Sequence, residues 1–195
     1  SPEPPELFCF PGSDAIAGVA RPVEVGGLGL LIKWMEGNAI DLCVAGEESY
    51  LVQGEGLANL CQQAGIPCWG PRKESAQLEA SKEFAKDFLV RHGIPTARAV
   101  VVEDAVGAWA AIGGCYPTVL KFDGLAAGKG VAVCHDEAAA GDFLEEVFGR
   151  RRFGDGRLLV EECLGGPEVS IFAAVVDGTY LVFTPARDYK RLGEG

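Results

Sequence analysis

Two lysines and a run of glycines, set between two short apolar stretches, carry the first recognisable chemistry in this chain. The stretch from Thr118 to Cys134 reads TVLKFDGLAAGKGVAVC. Thr118, Val119 and Leu120 lead into Lys121, glycine fills three of the eight positions from Asp123 to Gly130, and Val131 to Cys134 is apolar again. Two apolar runs around a glycine-bearing loop predict a β-hairpin. Glycine lets backbone N–H groups turn inward on an anion. Lys129, between Gly128 and Gly130, can swing over a phosphate as a point charge. Lys121 closes the first strand and can aim at the same place. A hairpin tip with solvated lysines is the bland alternative, because short glycine motifs recur by chance. A Walker A loop is disfavoured, since it needs GxxxxGK[ST] ahead of a helix. Here the spacing is GxxxGKG, Gly130 replaces the metal-binding hydroxyl, and a strand-like run follows. The pattern suits a glycine-rich flap over a triphosphate.

The composition narrows the setting for such a flap. The chain has 195 residues, 48% hydrophobic, and a formal net charge of −11. That length suits one ordinary domain or two small ones. The acidic balance speaks against nucleic acid, whose binders show a basic patch. The only basic run, Arg150 to Arg152, reads as a solvated helix end. No apolar run approaches the ~20 residues that span a bilayer, and the proline-rich, acidic opening is no secretory signal. The seven cysteines form no CxxC pair, and most sit in apolar runs. They read as reduced core thiols of a cytoplasmic protein. His92 and His135 lack ligand-like spacing, so a structural zinc site is not expected.

The elements that must position the lysines follow from periodicity. Short strands at Leu7–Phe10, Val23–Val25, Asp41–Ala45 and Pro67–Trp69 alternate with helices at Leu28–Met35 and Leu57–Ala64, which predicts a parallel sheet covered by helices. Ligands in such sheets bind beyond the carboxyl ends of the strands, and Gly46 to Ser49 sits at such an end. A short helical piece spans Ser75–Leu78. Ser81 is an N-cap for a helix Lys82–His92, stopped by Gly93 and Pro95. It carries Lys82 and Lys86 on one face. A strand Thr96–Val102, a helix Asp104–Ile112, the hairpin, and an amphipathic helix Asp136–Phe148 come next. Strands at Leu158–Val160, Glu168–Val176 and Thr179–Thr184 follow, the last two joined by an Asp177-Gly178 turn. Four strands and one helix, about 115 to 185, would form a small α+β lobe.

The hairpin motif KFDGLAAGKG is one of five. SKEFAKDFL (Ser81–Leu89), GIPTA (Gly93–Ala97), VEECLGGPEVS (Val160–Ser170) and DYKRLGEG (Asp188–Gly195) accompany it in the same order as in a known family. Over nearly its whole length the sequence resembles the glycinamide ribonucleotide synthetases, the phosphoribosylamine–glycine ligases of the ATP-grasp superfamily. The resemblance implies an α/β fold. A truncated Rossmann-like parallel-sheet domain (1–80) would precede the N-terminal part of an ATP-grasp domain (81–195), with its α+β lid lobe at about 115–185. The family's opening strand, glycine-rich turn and helix would lie before Ser1.

The same resemblance implies site residues. Lys82, rather than Lys86, would reach the nucleotide phosphates, together with Lys121, Gly128, Lys129 and Gly130. Adenine would meet the strand end Glu161-Glu162-Cys163-Leu164, with the Glu162 carbonyl accepting and the Leu164 N–H donating. Glu168 would accept from the ribose hydroxyls, Pro167 standing where an acidic neighbour is common. Glu48, Asp188, Lys190 and Arg191 would face the substrates, although the segment around Glu48 lacks the family's prolines and Tyr189 stands where histidine is common. The implied reaction phosphorylates the glycine carboxylate with ATP, after which the amine of 5-phosphoribosylamine displaces phosphate. It needs no protein nucleophile, and Lys121 and Lys129 are the candidate catalytic groups, as stabilisers of phosphate charge. Mg2+ or Mn2+ would serve the full enzyme through a glutamate and an asparagine beyond Gly195, so the chain alone is expected to be inactive. A non-catalytic nucleotide-binding module and a different ATP-grasp ligase are the alternatives.

Overall fold

The computed structural model describes residues 4–188 apart from 125, 127 and 128. Its first part is built from short parallel pairs. β1 (Phe8–Cys9) lies beside β2 (Arg21–Pro22), and α1 (Leu28–Gly37) follows. β3 (Cys43–Val44) leads to α2 (Glu48–Val52) and α3 (Leu57–Gln63) before β4 (Cys68–Trp69) returns parallel to it. α4 (Lys73–Ala80) completes this part. Leu31, Ile32 and Met35 recur at helical spacing on α1 and meet Leu57 and Cys61 of α3, with Val23 and Ile66, in one buried cluster. The alternation of strands and helices is therefore present. The strands form two separate two-stranded pairs where one continuous parallel sheet was expected.

The second part starts with α5 (Lys82–Arg91), β5 (Ala99–Val102), α6 (Ala105–Ile112), β6 (Thr118–Phe122), β7 (Val131–Cys134), α7 (Glu137–Leu144) and β8 (Leu158–Glu162). Side-chain caps fix three helix starts. Ser81, Asp104 and Asp136 accept from the N–H groups of Phe84, Gly107 and Ala139 at 3.1, 2.7 and 2.8 Å. Each such cap contributes about 1 kcal/mol. α6 ends where Gly113 adopts a left-handed φ of 56°.

β5, β8, β6 and β7 pair in that order, all antiparallel. Period-two alternation sorts their side chains. Thr118, Leu120 and Phe122 of β6 are buried, and Leu120 and Phe122 join Leu158 and Val160 of β8 against α6 and α7. Val119 and Lys121 point to the other face, as do Leu159 and Glu161 of β8. The sheet thus takes in β5 and a second helix, which the lobe drawn from sequence left out.

Beyond β8 the chain forms β9 (Glu168–Ser170), β10 (Ala173–Val176), β11 (Thr179–Val182) and β12 (Ala186–Asp188). The single strand expected over 168–176 is broken at Ile171 and Phe172, because β9 pairs with β12 and β10 with β11. The Asp177-Gly178 turn is as read, with both residues at positive φ (47° and 77°). No helix among the described residues is long and apolar enough to cross a membrane.

Candidate functional site

The sheet face turned away from α6 and α7 holds a buried carboxylate between two ammonium groups. Glu161 stands near the end of β8 and is only 4% exposed. Its Oε2 lies 2.8 Å from Lys121 Nζ on the neighbouring strand, and its Oε1 lies 3.1 Å from Lys86 Nζ on α5. The β6–β8 register places Val119 opposite Glu161, which makes Lys121 its diagonal neighbour on the same face. Lys86 also donates to Thr96 Oγ1 and to the Ala97 carbonyl, both at 2.8 Å. Its side chain is 14% exposed, whereas that of Lys121 is 32% exposed. One carboxylate against two ammonium groups leaves a net positive charge, with Lys121 as the end open to solvent. Such a group can neutralise an anion laid against the sheet.

A second junction ties the root of the hairpin to the start of α5. Asp123, just past β6, accepts from the Lys82 N–H at 2.6 Å, the Glu83 N–H at 3.2 Å and the Ser81 hydroxyl at 3.2 Å. A carboxylate is favourable at this position because the first N–H groups of a helix have no internal partners. The Lys82 ammonium donates to the Gly124 carbonyl at 2.9 Å. Arg157 pairs with Glu83, and its carbonyl accepts from the Asp123 N–H at 2.8 Å. The flap therefore springs from a point fixed to the helix that carries both lysines.

Gly130 has a packing reason to be glycine. An added Cβ would lie 2.6 Å from the Ala126 Cβ, and the Gly130 carbonyl accepts from the Phe122 N–H at 2.7 Å. Lys129 is exposed in the same loop, its N–H donating to the Ala126 carbonyl. Gly128 lies outside the described residues.

At the strand end, the Glu162 side chain accepts from the Arg98 N–H at 2.8 Å and from its Nε at 3.0 Å. These bonds, the backbone one foremost, hold the Glu162 carboxyl below its ordinary range. Leu164 is exposed just beyond. A groove of about 660 Å³ runs between α5 and the approach to β5, lined by Lys86, Thr96, Ala97 and Arg98. Neither Lys121 nor Leu164 lines it.

The sequence-derived candidates thus fall into separate groups. Lys121 and Glu161 are together. Lys82 is at the hairpin root. Glu162 is bound to Arg98 and is followed closely by Leu164. Glu168 of β9 is the register partner of Asp188 on β12. Glu48 opens α2 beside a small groove lined by Leu51, Val52, Pro71 and Ala76, in the first part of the chain. Lys190 and Arg191 lie outside the described residues. Lys86 is the residue that the sequence reading passed over. The signal for it was Glu161 itself, because a carboxylate buried in LLVEE demands a cation from a facing element.

Comparison with known proteins follows this division of the chain. A family model for the phosphoribosylglycinamide synthetase N domain matches residues 1–79, and one for the ATP-grasp (A) domain matches residues 80–195. The chain is 41% identical over 206 aligned residues to the trifunctional purine biosynthetic protein adenosine-3 of Drosophila melanogaster, covering all of this chain and 15% of that protein. It is 42% identical to a phosphoribosylamine–glycine ligase of Caulobacter vibrioides, covering 97% of this chain and 45% of that one. Among solved structures, phosphoribosylamine–glycine ligase from Thermotoga maritima superposes with a TM-score of 0.74 at 30% identity, over 96% of this chain and 45% of that one. N5-carboxyaminoimidazole ribonucleotide synthetase from Thermus thermophilus shares the fold at 21% identity, with a TM-score of 0.68 over 96% of this chain and 48% of that one. The chain therefore spans about half the length of the bacterial relatives it matches.

Proposed function

We propose, from the premise that the chain belongs to the phosphoribosylglycinamide synthetase family of ATP-grasp proteins, that it forms the nucleotide-holding part of an ATP-dependent ligase. The ligase would join glycine to 5-phosphoribosylamine in the cytoplasm. The observation that carries this reading is the Lys86–Glu161–Lys121 group on the sheet face beside the flap. A carboxylate is a poor electrophile, and phosphorylation by ATP supplies its leaving group. Catalysis of that transfer is largely positioning and charge neutralisation. Lys121 neutralises phosphate charge, Glu161 aims the lysine, and Lys86 keeps the hub charged. Lys129 and the glycines of the flap close over the triphosphate and exclude water, which would otherwise hydrolyse the acyl phosphate. The backbone at Glu162 and Leu164 offers an acceptor and a donor to the adenine edge, and Glu168 an acceptor to the ribose. Glu48, Asp188, Lys190 and Arg191 are the candidates for the glycine and phosphoribosylamine side.

ATP fits the residues present, because the part-exposed ammonium of Lys121 and the glycine-bearing loop that carries Lys129 are the kinds of groups that hold phosphate. Mg2+ and Mn2+ do not find a comparable fit. Hard cations take carboxylate and carbonyl oxygens. The one cluster of three ligand-bearing side chains among the described residues is made of thiols.

Calorimetric titration of the folded protein with a non-hydrolysable ATP analogue tests the reading. Saturable binding that Lys121→Met weakens at least about tenfold, or about 1.4 kcal/mol, is expected. Absence of binding at millimolar analogue refutes it. In the full-length protein, glycine- and phosphoribosylamine-dependent release of ADP would identify the ligase among ATP-grasp chemistries, whereas this chain alone should bind the analogue without turnover.

A further inference from the structure

Three cysteines far apart in sequence converge in the first part of the chain. Cys43 and Cys68 are register partners on the parallel strands β3 and β4, so their side chains leave the same face. α3 lays Cys61, fully buried, onto that face. The three Sγ atoms lie within 4.8 Å of one another. Their setting is apolar, with Leu31, Met35, Leu57 and Ile66 in the same cluster. All three are free thiols, and Cys43 and Cys68 are half-buried, which leaves a way in from solvent.

Zinc–thiolate bonds are about 2.3 Å long, so three sulfurs sharing one ion in a plane stand about 4 Å apart. Small movements of side chains bring the observed trio to that spacing. A donor set of sulfur alone selects soft ions over magnesium or calcium. We propose that Cys43, Cys61 and Cys68 form a three-thiolate site for a soft, thiophilic metal ion of the Cu(I) or Cd(II) class. Binding converts three S–H groups to thiolates and releases three protons to solvent, with no change in oxidation state. The site is independent of the nucleotide site, since none of its ligands lies on the four-stranded sheet or α5.

The test is an anaerobic titration of the reduced protein with Cd2+ alone, following the ultraviolet sulfur-to-cadmium charge-transfer band and the protons released. Saturation at one equivalent is expected. Cys43→Ser and Cys68→Ser should each weaken binding at least about tenfold, the scale seen when groups that support metal ligands are lost. Cys115→Ser and Cys163→Ser should leave it unchanged. Cys61 is fully buried, so the two half-buried positions carry the test, with circular dichroism verifying each fold. A rise in melting temperature with Cd2+ in the unsubstituted protein, absent in Cys43→Ser, is the second expected readout. A titration without a one-equivalent end point overturns the proposal. So does a band that survives unchanged in the folded Cys43→Ser/Cys68→Ser double variant.

Discussion

Replacing Glu161 by glutamine removes the charge on which two lysines converge and leaves the shape nearly intact. At an effective dielectric constant near 20, the Lys86 contact at 3.1 Å has a gross attraction of about 5 kcal/mol. Burying a carboxylate that is 4% exposed offsets much of this. The measurable quantity is the cost of leaving the partner uncompensated, which for a buried pair is about 3–5 kcal/mol. Lys86 keeps its bonds to Thr96 and Ala97, so the lower end of that range, about 3 kcal/mol, is expected for Glu161→Gln. Lys121→Met leaves Glu161 paired with Lys86 and removes an ammonium that is 32% exposed, so solvent screening limits its cost to about 1 kcal/mol. Urea unfolding reads the difference. With a slope of about 1–3 kcal/mol per molar, Glu161→Gln should lower the midpoint by about 1–3 M. The triple variant Glu161→Met/Lys86→Met/Lys121→Met should recover most of the loss, because an apolar replacement of the whole group removes the desolvation penalty with the charges. A Glu161→Gln protein within about 0.5 kcal/mol of the unsubstituted one, or less stable after Lys121→Met than after Glu161→Gln, would refute the hub.

Asp123→Ala removes the acceptor for the first N–H groups of α5 and should cost about 1–2 kcal/mol in thermal unfolding, with Asp123→Asn losing less. Equal losses for the two variants would argue that the carboxylate charge is immaterial at the hairpin root. Gly156→Ala, at an exposed loop position just before β8, would set a Cβ 2.6 Å from Cζ of the buried Phe122 ring. About 1–3 kcal/mol of overpacking is expected from denaturant titration, and a neutral result would show that the ring can move aside. Glu162 has its carboxyl held below its ordinary value of 4.5 by Arg98, so its contribution to stability is complete well above that value and is lost as pH falls through the lowered folded value. Acid titrations should show Glu162→Gln flattening that limb, while an unaltered acid profile would detach Glu162 from it.

The helices of the second part were legible because their caps are local. Ser81 and Asp104 each bond an N–H three residues ahead, a relation visible in the sequence and repeated in space, and Asp136, read as the first residue of its helix, caps that helix in the same way. The hairpin was legible for the same reason, its glycines and flanking apolar runs lying within one short stretch. What escaped were relations across the chain. Whether Lys82 or Lys86 meets the sheet depends on how α5 is rotated over it, and that rotation is set by Asp123, some forty residues away. The break at Ile171 and Phe172 was hidden because an apolar alternating run looks the same whether one partner strand or two receive it. The thiol cluster was illegible because positions 43, 61 and 68 share no metal-site spacing and are united only by the β3–β4 register and the docking of α3.

β10 and β11 hydrogen-bond to each other and to no further strand among those described, and seven of their eight side chains are exposed. A ribbon of two strands with no buried face is marginally stable in water. Its amide protons should therefore trade with deuterium through local opening alone, within the earliest labelling times. Those of Leu120 and Val160, in the interior of the four-stranded sheet, should wait for global unfolding.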